Sequence, residues 1–98
     1  MSKGYWIVSL DVTDEDTFKR YQALVGDATG KYGARYLVRG GLHQLVEGTS
    51  RSRNVVVEFP SYQAALDCYN STEYAEPLAI RKKAADSDFL IIEGMDDT

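Results

Sequence analysis

The stretch Tyr36-Leu37-Val38-Arg39-Gly40-Gly41 decides how the chain is read. Its start has the aromatic and β-branched character of a strand. Arg39 then puts a charge where an apolar side chain is expected. Gly40 and Gly41 add backbone freedom that a regular strand does not need. Everything before this stretch reads as strand then helix, and everything after it as strand, helix, strand. The two glycines admit two topologies. They form either a tight hairpin turn or a bulge in one long, bent strand that continues through residues 42–46. The second is preferred, because residues 47–53 (Glu47-Gly48-Thr49-Ser50-Arg51-Ser52-Arg53) are richer in turn formers and supply the real turn.

Upstream, residues 5–12 alternate as a first strand, with Trp6, Val8, Leu10 and Val12 on one face. Thr13 is the expected N-cap of a helix whose first turn carries Asp14, Glu15 and Asp16, where negative charge suits the dipole. Phe18, Tyr21, Leu24 or Val25, Ala28 and Tyr32 recur at helical spacing, and Gly33 is the expected stop. Residues 35–39 form the second strand. Downstream, residues 54–59 form a third, whose run Val55-Val56-Val57 suits a central position covered on both faces. Pro60 ends it and Ser61 caps a helix with Ala65, Leu66 and Tyr69 inward. Asn70-Ser71 breaks that helix, Thr72-Glu73-Tyr74 is expected as a turn, and Pro77 as the first residue of a further helix. Asp86-Ser87-Asp88 is expected as a loop, residues 89–93 as the last strand, and residues 94–98 as a solvated acidic tail. The order β-α-β-β-α-β specifies an α+β, ferredoxin-like protomer. One four-stranded antiparallel sheet carries its helices on one face, with the first and third strands central.

The chain of 98 residues allows one domain, residues 1–98. A net charge of −4 argues against a nucleic-acid binder, which needs a basic face. Arg51, Arg53, Lys82 and Lys83 read as solvated surface. No apolar run reaches the ~20 residues of a membrane helix, and the N-terminus lacks the apolar core of a signal peptide, so the cytoplasm is the expected compartment. The single cysteine, Cys68, excludes an internal disulfide and reads as a small buried hydrophobe. Residues 26–31 do not make a phosphate-binding loop, since the glycine spacing is short and no Ser or Thr follows Lys31.

Gly4-Tyr5-Trp6-Ile7-Val8, Asp11-Val12-Thr13-Asp14, Tyr32-Gly33, Val38-Arg39-Gly40-Gly41, Glu47-Gly48, Glu58-Phe59-Pro60-Ser61, Tyr69-Asn70-Ser71 with Glu73-Tyr74, and Arg81 together resemble a family of small bacterial proteins. It is the domain of unknown function 1330, within the dimeric α/β-barrel superfamily. The resemblance covers nearly the whole chain. It implies a ferredoxin-like protomer and a homodimer, and it implies no activity. Superfamily relatives include cofactor-free monooxygenases, isomerases and haem-degrading enzymes, an analogy of fold alone.

A homodimer through the sheet is also expected on physical grounds. The helices cover one face only, yet apolar residues occupy both: Trp6 and Val8 against Tyr5 and Ile7, Val55 and Val57 against Val56, Leu90 and Ile92 against Phe89 and Ile91. For chemistry, one histidine and one cysteine give no ligand spacing for a metal, and no cofactor is expected. His43, beside the glycines, is a candidate acid–base. Cys68 and His43 have nothing that joins them as a nucleophile pair. The helix break at Asn70-Ser71 frees backbone groups and gathers Tyr69, Ser71 and Tyr74, with Arg81 on the next helix. The expected ligand site is therefore Arg39, Arg81, Tyr74, Tyr69, Trp6 and Ser71. The arginines and Tyr74 would hold a small organic acid, against an apolar wall of Trp6 and Tyr69. By alternation Arg39 shares a face with Arg35 and Leu37. Glu58 is one candidate partner, and a bulge at the glycines leaves open whether the two share a face. Two functions follow: a pocket for a small organic acid or aromatic molecule, as binding module or cofactor-free enzyme; or a structural dimer with no ligand. An Arg39 paired to Glu58 with no cavity beside it would favour the second.

Overall fold

β1 (Ser2–Val12) runs through the middle of the sheet and sorts the protein into two faces. A computed structural model describes residues 2–96. After β1 come α1 (Glu15–Gly30), β2 (Arg35–Arg39), β3 (Arg53–Phe59), α2 (Tyr62–Tyr69), α3 (Thr72–Ala84) and β4 (Ala85–Asp96). The strands pair antiparallel in the order β2-β3-β1-β4, so the first and third strands are central. Trp6 lies opposite Val57 and Ile91, and Val8 opposite Val55 and Phe89. These residues share the face covered by the helices. Trp6, Leu10, Val57, Phe59, Ala65 and Cys68 are at most 2% exposed there. The indole of Trp6 fixes α2 on the sheet, donating from Nε1 to the Ala65 carbonyl at 3.0 Å. Gly4 is where α2 begins against β1, and a Cβ on it would lie 2.4 Å from the Ser61 carbonyl oxygen.

The other face carries Ile7, Val38, Leu90 and Ile92, all exposed, with Val56 half-buried among them. The protomer is accordingly thin, 41 × 37 × 17 Å. This is one sheet under one helical layer.

Several boundaries differ from the sequence expectation. Asp14, not Thr13, caps α1: its carboxylate accepts from Thr17 N at 3.2 Å and from the Thr17 hydroxyl at 2.7 Å. The Thr13 amide is used instead to hold α3, donating to the Ala84 carbonyl at 2.7 Å. Thr72-Glu73-Tyr74 is the first turn of α3, not a free turn, because Ser71 Oγ caps it by accepting from Tyr74 N. Pro77 therefore lies inside that helix. Asp86-Ser87-Asp88 is strand, pairing with Asp11, Leu10 and Ser9. The expected tail begins as strand too, with Asp96 opposite Ser2, while Asp97 and Thr98 lie outside the described residues.

The glycine stretch differs most. The chain bulges earlier, between Tyr36 and Val38, and β2 stops at Arg39. Residues 41–51 form no strand and make an exposed arm on which Leu42 and Val46 are 106% and 80% exposed. The return of the arm is tied to the open face of the sheet. Ser52 N donates to Asp11 Oδ1 at 2.8 Å, and Arg51 bridges Asp11 and Asp88 at 3.1 Å each. Arg51 is thus ion-paired rather than merely solvated.

A cavity between the sheet and the first helix

The bulge at Leu37 decides what faces the helices. It places Arg39 opposite Val55 and on the same side as Tyr36, whereas Arg35 lies opposite Glu58 on the open face. Arg39 therefore does not share a face with Arg35. Glu58 is on the opposite side of the sheet from Arg39 and accepts from the Tyr5 hydroxyl at 3.1 Å. The alternation Arg53-Val55-Val57 brings a second arginine to the helix side, since Arg53 lies opposite Leu10. Arg53 is thus not a solvated loop residue.

Beneath α1 these residues enclose a small cavity of about 40 Å³ that opens at one side to solvent. Its walls are apolar: Trp6, Leu10, Phe18, Val25, Val55 and Val57, completed by the rings of Tyr21 and Tyr36. Arg39 and Arg53 are its charged groups. The Arg39 guanidinium stands over the Tyr36 ring at 5.3 Å, and that of Arg53 over the Phe18 ring at 5.7 Å. Neither has an ion-pair partner among the described residues, and the buried Nε of Arg53 has no hydrogen-bond partner. Gly40 makes room for this arrangement. Its φ is +68°, and a Cβ on it would sit 2.5 Å from a terminal nitrogen of Arg53.

Behind the wall, the Tyr21 and Tyr74 hydroxyls are 3.2 Å apart. Burial pushes the Tyr21 phenol well above its ordinary value. It also raises that of Tyr74, against the pull of the Arg81 guanidinium nearby. Both stay protonated at neutral pH and act as hydrogen-bonding groups, not bases. Burial pushes the Cys68 thiol up to about 12, so it is no nucleophile. The arrangement offers two guanidinium groups at the edge of a small apolar recess.

The expected site residues are divided. Trp6 and Arg39 line this cavity. Tyr74 is fully buried behind it, with its ring 5.0 Å from Trp6. Arg81 stays beside Tyr74, as expected, but lies toward the opposite edge of the sheet from Arg39, over Phe89 of β4, and shares a separate hollow with Tyr69. Ser71 is spent on capping, donating to the Cys68 carbonyl at 2.7 Å and accepting from Tyr74 N. His43 is exposed on the arm, where its Nδ1 is 3.2 Å from the Gly41 carbonyl. Tyr21, Tyr36 and Arg53 were not anticipated. The period-two pattern through Arg53, Val55, Val57 and Phe59 was the available signal for the last.

Among the described residues no group of three His, Cys, Asp or Glu is placed to hold a metal, and no helix is long and apolar enough to cross a membrane. A family model for domain of unknown function 1330 (DUF1330) matches residues 3–95. The chain belongs to the DUF1330 family. No curated protein matches its sequence. Among solved structures this DUF1330 chain is similar to a protein of unknown function from Rhodopseudomonas palustris, at TM-score 0.78 and 14% identity, covering 97% of this chain and 84% of that one. It is also similar to SnoaB, a cofactor-independent oxygenase from Streptomyces nogalater, at TM-score 0.67 and 8% identity, covering 98% and 96%. A protein from Arabidopsis thaliana follows at 0.63 and 10% identity, covering 99% and 88%. These likenesses are of fold, and agree with the ferredoxin-like α+β protomer described above.

Proposed function

We propose that this protein binds a small aromatic or aliphatic acid at the cavity beneath α1, with the carboxylate held at the mouth by Arg39 and Arg53. The observation that carries this reading is the pair of arginines without carboxylate partners at the mouth of a small apolar cavity of about 40 Å³. That space admits only the edge of an apolar group, so the body of the acid would lie across the mouth between the two arginines. Two guanidinium forks suit a planar acid, and a ligand carboxylate would supply the missing partner. Arg39 is unpaired with Glu58 and has a cavity beside it, which favours a ligand site over a structural arginine. The likeness to a cofactor-independent oxygenase is one of fold, so the reading is of binding, with turnover a matter for assay.

The working form is a homodimer through the open sheet face. Ile7, Val38, Leu90 and Ile92 form an apolar surface that a second copy would cover. Sedimentation at micromolar concentration is expected to give twice the protomer mass.

The binding test is a thermal-shift titration with a panel of aromatic and aliphatic carboxylates. An acid at a hundred times its Kd stabilises by about 2.7 kcal/mol. Arg39→Lys and Arg53→Lys keep the charge and lose the fork, and should each shrink that shift. If no acid stabilises the parent, or the variants respond as the parent does, the pocket reading fails and a structural dimer stands.

A further inference from the structure

A second hollow lies at the β4 edge, lined by Arg81, Lys82, Ser87, Tyr69 and Phe89, with Arg51 and Asp86 at its rim. Arg81 is only 3% exposed, yet it has no ion pair among the described residues and its Nε has no hydrogen-bond partner. The Ser87 hydroxyl in the same hollow is also buried without a partner. Buried polar groups are normally satisfied, and two orphans in one hollow are unusual. The Phe89 ring lies 5.1 Å from the guanidinium and the Tyr74 hydroxyl is within its reach, and neither supplies a negative charge or a partner for Nε.

The surroundings favour an anion. Arg51 is committed to Asp11 and Asp88, which leaves Arg81 and Lys82 as cations of this hollow without an acidic partner among the described residues. Asp86 also lines the hollow, but it is exposed and its position alternates with Ser87, so solvent screens its carboxylate. The end of α3 would repel an anion through free carbonyls, but that of Ala84 already accepts from Thr13 N and Asp14 N.

We propose that this hollow is a site for a tetrahedral oxyanion, inorganic phosphate or the phosphate end of a small monoester. The fork of Arg81, the ammonium of Lys82 and the hydroxyl of Ser87 would donate to it from three sides. The site is separate from the cavity beneath α1, and does not depend on that cavity binding an acid.

The test is a two-dimensional NMR titration of the intact protein at constant ionic strength, following the Arg81 side-chain Nε–H and the Ser87 amide. Inorganic phosphate and glycerol phosphate are added separately, with sodium chloride as control. Saturable shifts with phosphate are expected, along with a tenfold or greater rise in Kd for Arg81→Lys and a smaller rise for Lys82→Gln and Ser87→Ala. The last two keep the test valid if Arg81→Lys does not fold. Binding of the monoester as well would assign an esterified ligand, and binding of inorganic phosphate alone the free ion. Arg39→Lys with Arg53→Lys should bind phosphate as the parent does. Shifts that match chloride, or that vanish in that double variant, overturn the proposal.

Discussion

Trp6→Phe isolates the side chain on which the helical layer is seated. The indole is 1% exposed, packs on Phe59, Tyr74 and Phe89 at 4.9–5.0 Å between centroids, and donates to the Ala65 carbonyl. Phenylalanine keeps a ring but loses the donor and about three heavy atoms. The buried hydrogen bond is worth about 1 kcal/mol net. The lost apolar atoms cost roughly 1–2 kcal/mol in transfer. Roughly 40 Å³ of uncollapsed space adds ~1 kcal/mol. The expected loss is therefore about 3 kcal/mol, or a Tm lower by ~12–24 °C for a domain this small. Urea and thermal unfolding at one fixed protein concentration would measure it, since self-association makes stability depend on concentration. A loss under ~1 kcal/mol, with the fold intact by circular dichroism, would refute the claim that this indole ties α2 to the sheet.

Gly4→Ala should cost ~3 kcal/mol or more, because its Cβ meets backbone of Ser61 and Tyr62 at 2.4–2.7 Å; soluble yield and Tm would show it. Cys68 should resist thiol reagents at pH 8 in the native protein and react fully in urea. Its folded pKa of about 12 lies above the ordinary 9.0, so the folded state retains a proton that the unfolded state releases. This stabilisation is complete below pH 9 and is lost as pH rises from 9 toward 12. A Tm that falls over that range less steeply in Cys68→Ala would confirm it. The Asp11 carboxylate is held below its ordinary 3.8, first by the Ser52 amide and then by the Ser52 hydroxyl and Arg51. Asp11→Asn should therefore speed proteolysis within residues 41–51. The parent should show the same loosening only as pH falls below 3.8 through the lowered value.

The fold was legible because the strand faces alternate strictly. Trp6, Val8 and Leu10 go to the core and Ile7 to the open face in sequence as in structure. The capping serines at 61 and 71 were legible only in part. Ser61 announces α2, whereas Ser71 stands six residues before Pro77, which suggested a later start. The site was less legible, for one physical reason. A bulge reverses alternation, and nothing in Tyr36-Leu37-Val38 marks where the extra residue sits. One residue of register sent Arg39 to the helix side and removed Glu58 as its partner. Arg81 and Arg39 looked joined because Arg39 was expected at the end of the sheet below the break at Asn70-Ser71, with Arg81 on the helix after it, but the sheet order separates β2 from β4 by two strands.

Gly40 reports on whether the cavity mouth matters. The clash that a Cβ would create there is with the far end of a flexible arginine, not with backbone. A side chain at this position would therefore push Arg53 aside and leave the fold standing, at about 1 kcal/mol for the left-handed backbone. Asparagine and aspartate enter that region readily. If only the fold were under selection, position 40 would drift among Gly, Asn and Asp across the DUF1330 family. If the placement of the Arg53 guanidinium is under selection, position 40 stays glycine wherever position 53 stays arginine, and the two change together or not at all.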